Sequence, residues 1–195
     1  MGRVRAALER RERQDAPQYA DDVAVSRGSG GDLVALFCER LAEARGRAFR
    51  SAAELARWLG EQKATRGYCD PALVPLLGPA FATGFSLETT LARERIDDYQ
   101  FGVTRAAAAV AETGSLVLED RGTSSRLGAL APWIHIAVID RARIHAHLAD
   151  AIAALADDPY VIFCTGPSKT ADVEGILIEG VHGPGEQVAL ILSPA

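Results

Sequence analysis

The chain has 195 residues, 48% of them hydrophobic and 24% charged, with a formal net charge of −5. That balance suits one soluble globular domain able to bury roughly 70% of its unfolded surface. The acidic excess argues against nucleic acid or an anionic membrane as partner, and no apolar run approaches the ~18 residues that membrane insertion requires.

Arg10, Arg11 and Glu12 stand where an export signal would carry an apolar stretch, so a cytoplasmic location is expected. Residues 1–31 read as a short amphipathic helix (3–14) and a loose connection containing Pro17 and a glycine-rich run, which misses the G-x-G-x-x-G fingerprint. Residues 32–195 read as the main domain. Asp32 caps a helix with Leu33, Leu36, Phe37 and Leu41 on one face and Gly46 just past its end. Residues 48–50 form a short strand. Ser51 and Glu54 make a capping box for a helix through about Lys63, with Leu55, Trp58 and Leu59 inward. Pro71, Pro75 and Pro79 restrict residues 64–96, where Asp70 or Pro71 starts a short helix through Leu77.

From Gly102 the texture changes to short apolar strands broken by glycine and proline. Alanine content favours helix over 106–111, followed by strands at 115–118 and 133–139 and a helix over 144–155 with Ile144, Leu148, Ile152 and Leu155 on one stripe. A buried parallel strand is expected at 160–164 and a last strand at 187–192. The βαβ order gives an α/β fold, a mostly parallel sheet flanked by helices.

The segment after residue 164 is richest in chemistry. Gly166 and Pro167 break the strand, and Ser168, Lys169 and Thr170 then offer two hydroxyls and a cation, with Asp172 and Glu174 beyond. Such a loop at the carboxyl end of a parallel strand suits a small anion, and it equally suits an ordinary strand-to-helix connection with a Ser or Thr cap. The G-x-x-x-x-G-K-[ST] spacing of a Walker loop is absent. Glu112, before Thr113 and Gly114, is either an acid, base or nucleophile at a strand mouth or a carboxylate holding turn amides. His135 either points into a cleft or is a satisfied strand histidine; His182, beside Gly183, is the better placed of the two. His135, His182, Asp172 and Glu174 are metal-ligating types, but no spacing such as H-E-x-x-H calls for a metal. Cys38, Cys69 and Cys164 contain no C-x-x-C pair for zinc or an iron–sulfur cluster; Cys38 and Cys164 are expected in the core and Cys69 at the surface. Neither metal nor cofactor is expected.

Five pieces fall in register along residues 98–192: 102–104 (GVT), 111–115 (AETGS), 126–138 (Arg126, Leu127, Pro132 and HIAV from His135), 166–174 (GPSKTADVE) and 180–184 (GVHGP). Together they resemble the LUD-domain family of lactate utilization proteins, in particular the C type. The resemblance implies the sheet architecture shared by ribose-phosphate isomerases, glucosamine-phosphate deaminases and CoA-transferases. It also implies a non-redox component of an L-lactate oxidation system, which acts with separate iron–sulfur proteins because this chain lacks cluster-binding cysteines. On that reading Thr113, Gly114, Ser115, His135, Gly166, Pro167, Ser168, Lys169, Thr170, Asp172, His182 and Gly183 surround a small anionic ligand. The alternative is a stand-alone enzyme acting on a small carboxylate, phosphate or CoA thioester through Glu112, since AETG is similar to the Glu-x-Gly element of CoA-transferases. A homo-oligomer is compatible with either.

Overall fold

The computed structural model describes residues 31–120, 122, 125–155, 160–171 and 176–192. The expected N-terminal helix and glycine-rich run lie outside them, as do Asp172 and Glu174. The first described helix, α1 (Leu33–Glu43), starts where the Asp32 carboxylate accepts the backbone N–H groups of Val34 and Ala35. It is followed by β1 (Arg47–Phe49) and α2 (Ala52–Glu61), the latter capped by Ser51. Next come β2 (Arg66–Cys69), a 3-10 turn at Pro71–Leu73 and α3 (Val74–Phe81). Pro79 is tolerated inside α3 because the helix ends two residues later.

The central sheet is parallel throughout, in the order β1, β12 (Glu186–Leu192), β7 (Ile134–Asp140), β4 (Phe101–Arg105), β2, β3 (Ser86–Glu88). One face carries Phe101, Val103, Ile136, Val138, Val188 and Leu190 and packs on Leu55, Trp58 and Leu59 of α2 and on Leu77 and Phe81 of α3. The other face carries Ala137, Ile139, Ala189 and Ile191 and meets Val34, Phe37 and Leu41 of α1. Each fully buried Leu, Ile or Phe contributes roughly 1.5–3 kcal/mol over leaving it in water. Burial on both faces explains the near-continuous apolar runs of β7 and β12.

A second sheet lies over the α1 face, in the order β8 (Ile144–His145), β5 (Ala108–Val110), β6 (Ser115–Glu119), β9 (Val161–Cys164). Ala109, Leu116 and Leu118 point into the shared core. The short α4 (Arg126–Leu130) precedes β7, and Ala108, Val110 and Val117 meet Ala151 of α5 (Leu148–Ala153) on the outside. A hairpin of β10 (Lys169–Ala171) and β11 (Leu177–Glu179) stands apart from both sheets.

Four expectations need correcting. Residues 106–111 are not helical: β5 runs between two layers where only small side chains fit, and burial overrides alanine's propensity. The helix expected from 144 is a two-residue strand paired with β5 and then α5, which starts at Leu148 because Glu112 accepts that residue's N–H. Residues 160–164 are not a buried parallel strand; β9 is the antiparallel edge of the smaller sheet, and Phe163 is exposed on it. Cys69 is fully buried at the end of β2, and burial pushes its thiol up to about 12.

Candidate functional site

The loops that carry the sequence motifs collect around the last turn of α1. Gly114, at φ +66°, lies so close to Arg40 and Leu41 that a Cβ would overlap the helix backbone. Gly166, at φ +76°, meets the Ala44 carbonyl in the same way. The Lys169 ammonium donates to that carbonyl at 3.2 Å, which closes the carbonyl end of the helix with a cation. The Ser115 hydroxyl bridges Thr113 at 2.7 Å and Thr165 at 2.6 Å. Ser168 donates its N–H to Pro184 and accepts from Gly180, which ties this loop to residues 180–185. There Trp133 covers Gly180 and Gly185, and Pro167 and Pro184 are buried while His182 and Lys169 are exposed. Thr170 pairs with Ile178 in the hairpin.

This cluster is at the amino edge of the parallel sheet, not the carboxyl edge. Residues 180–185 lead directly into β12, whose first N–H bonds to Trp133, itself one residue before β7. Ala44 stands just before β1. An anion here would face the carbonyl end of α1 and the carboxylates of Glu179 and Glu186, which pair with Arg45 at 2.9 Å and Arg47 at 3.3 Å.

Glu112 has a structural assignment. One carboxylate oxygen accepts the Leu148 N–H at 2.8 Å and the other meets His147 Nδ1 at 3.0 Å. The His147 hydrogen bond, with the Leu148 N–H behind it, holds the carboxyl below its usual range. Glu112 raises His147 in return. The turn amides expected as its partners are replaced by the start of α5.

His135 does not face a cleft. It is fully buried on the α1 face of β7, with Nε2 2.9 Å from the Thr104 hydroxyl and Nδ1 2.9 Å from the side-chain amide oxygen (Oε1) of Gln187. Burial pushes its pKa down to about 4, so the ring is neutral. Among the described residues, no buried side-chain nitrogen or oxygen lacks a partner. No group of three or more His, Cys, Asp or Glu among them is arranged to hold a metal, and no helix among them is long and apolar enough to cross a membrane. Gly114, Ser115, Gly166, Pro167, Ser168, Lys169 and Gly183 are therefore brought near one another, whereas His135 is sealed inside and Asp172 lies outside the described residues.

A profile of the LUD domain matches residues 12–192. The chain belongs to the LUD domain family. Among its relatives, a protein named lactate utilization protein C from Deinococcus radiodurans is 31% identical over 146 residues, 69% of this chain and 66% of the relative. One of the same name from Bacillus licheniformis is 31% identical over 107 residues, 51% of this chain and 45% of the relative. The chain thus spans about half to two-thirds of the length of these curated relatives. The crystal structure of a DUF162 family protein from Deinococcus radiodurans superposes with a TM-score of 0.61 at 22% identity, covering 83% of this chain and 96% of that one. That likeness establishes the fold: an α/β domain with a mostly parallel sheet flanked by helices.

The carboxyl edge of this LUD domain holds a feature that sequence reasoning missed. Asp70 extends β2 by donating its N–H to Val103, and its side chain is 1% exposed. One carboxylate oxygen accepts the Ala72 N–H at 2.9 Å; the other accepts Nε of Arg105, the last residue of β4, at 2.6 Å. Arg141 and Arg143 follow β7 on the same edge, and Arg143 donates to the Ala107 carbonyl at 3.1 Å. The sequence offered Asp70 as a helix start, and nothing local tied it to an arginine 35 residues away.

Proposed function

We propose that this LUD domain is a non-redox component of an L-lactate utilization system, acting with separate iron–sulfur proteins and binding a small anion. The observation that carries this reading is the family match over residues 12–192, with relatives named lactate utilization protein C. The cysteines agree with electron carriers lying elsewhere: Cys69 and Cys164 are pushed up to about 12 and 11 by burial, and thiols held protonated make poor cluster ligands. The alternative of a stand-alone enzyme working through Glu112 is disfavoured because both its carboxylate oxygens are engaged with His147 and Leu148 at the start of α5.

The test is genetic and biochemical together. Deleting the gene from its native host should abolish growth on L-lactate while sparing growth on pyruvate, and affinity-purified protein should bring down iron–sulfur proteins. The purified chain alone should be colourless and show no lactate oxidation. Undiminished growth on L-lactate would refute the role, and lactate turnover by the chain alone would refute the need for partners.

A further inference from the structure

Two antiparallel strands alone are marginal in water, and a third strand or a packed face is what stabilises them. Among the described residues, β10 and β11 pair with each other and with no other strand. Neither face of the hairpin is filled. Successive side chains point to opposite faces, yet Leu177 is 60% exposed and Ile178 is 42% exposed. The hairpin is fastened to the domain at its base, where Lys169 bonds to Ala44 and Glu179 pairs with Arg45.

The ladder fixes which backbone groups look outward. Gly180 donates its N–H to Ser168, so these two face each other as a hydrogen-bonded pair, and two positions on Ile178 and Thr170 do the same. Leu177 and Glu179 therefore turn their N–H and C=O groups to the outer side of β11, where no described residue bonds to those groups. Natural sheet edges are blunted by lysine, proline or a bulge. β10 carries Lys169, whereas β11 reads Leu177, Ile178, Glu179.

That outer edge is complementary to itself. An antiparallel pairing of two β11 strands about a two-fold axis at Ile178 sets Leu177 opposite Glu179 of the second copy, and Glu179 opposite its Leu177. All four then have their outward N–H and C=O groups in hydrogen-bonding register. Ile178 meets Ile178 of the second copy on the axis, as a non-hydrogen-bonded pair about 4.5 Å apart at Cα. Charge agrees with the register: neither Glu179 faces its counterpart, and each is paired with Arg45 of its own chain. Val181 is exposed beside the strand, as is Trp133, which lies over Gly180 at its end. With them the contact covers on the order of 1,000 Å² over both chains, which suits association at micromolar concentration.

We propose that two copies of this chain join edge to edge through β11, making one four-stranded antiparallel sheet from two hairpins. The inference stands apart from the anion reading.

Sedimentation equilibrium of the full chain in reducing buffer, over about 1–500 μM, should show a monomer–dimer equilibrium. Ile178→Lys sets two ammonium groups face to face on the axis and should weaken the dimer roughly tenfold or more. Its melting temperature under dilute, monomeric conditions should match the parent's, because the side chain it replaces is exposed. On mild oxidation Ile178→Cys should crosslink two chains, since the axis pair lies within the span of a disulfide. Leu177→Cys should not, because its counterpart is a diagonal neighbour roughly 7–8 Å away. The parent, with Cys38, Cys69 and Cys164, is oxidised alongside as background. A chain that stays monomeric throughout, or an Ile178→Lys dimer as tight as the parent's, would overturn the proposal. Crosslinking through Leu177→Cys and not Ile178→Cys would overturn the register. Capture of an iron–sulfur protein by this hairpin, with no dimer at any concentration, would give the edge to another occupant and overturn the assignment to a second copy.

Discussion

The two edges of the central sheet carry opposite kinds of information. At the amino edge the residues are recognisable from sequence, and most of them hold backbone: Gly114 and Gly166 admit close contact with α1, Lys169 closes that helix, and Ser168 joins two loops. At the carboxyl edge Asp70 and Arg105 form no sequence motif, yet topology sets them where parallel sheets take ligands. A legible motif can mark a demanding piece of architecture. The chemical site can then rest on residues whose proximity only the fold creates.

If the amino edge is architecture, its substitutions should cost stability. The largest loss is expected for Gly166→Ala, which adds a Cβ against the Ala44 carbonyl at a positive φ; urea unfolding should show a drop of roughly 3 kcal/mol. A drop below measurement error would mean that the α1 contact is loose.

The next effect is acid sensitivity. His135 is neutral in the fold, with its pKa lowered from 6.5 to about 4, so above pH 6.5 folded and unfolded chains bind no proton there. As pH falls from 6.5 towards 4 only the unfolded chain gains one, and stability should decline by about 3 kcal/mol across that window. His135→Asn should flatten this part of a pH series of unfolding curves, and an unchanged slope would contradict the assignment.

At the carboxyl edge, Asp70→Ala removes a cap and one partner of a half-exposed arginine, and should lower stability by about 2 kcal/mol in the same urea series. An unchanged midpoint would mean that the pair adds nothing to the fold.

The smallest effect belongs to Glu112→Gln, which should cost about 1 kcal/mol because the group is over a third exposed. The pair has its own pH window. Glu112 is lowered from 4.5, so its contribution fades as pH drops below that value; His147 is raised from 6.5, so its contribution is whole below 6.5 and fades as pH climbs through its raised value. The difference between parent and variant melting temperatures should therefore peak between pH 4.5 and 6.5. A stable but inactive Glu112→Gln protein would instead restore the enzymatic reading.

Local signals were legible wherever local physics decided the outcome. The Asp32 and Ser51 caps, the two-faced apolar runs of β7 and β12, and the five motif pieces all read directly from the chain. Where tertiary context decided, the sequence misled. Ala108–Val110 is strand because two sheets leave room only for small residues. His135 stayed open between cleft and core because alternation along a strand gives its face but not what covers that face, here α1 and the second sheet. The motif loop went to the wrong edge because β9 belongs to a second, antiparallel sheet that no periodicity announces. The Asp70–Arg105 pair was invisible because its two halves stand on different strands.

The central claim, that the motif loops at the amino edge serve the fold and do not hold the anion, is most directly tested by thermal shift on the parent and Lys169→Met side by side. Saturating pyruvate stabilises a binding-competent fold by about 2.7 kcal/mol at a hundred times the dissociation constant. Both proteins should gain the same rise in melting temperature with pyruvate. A rise lost in Lys169→Met alone would return the site to the amino edge and contradict the account.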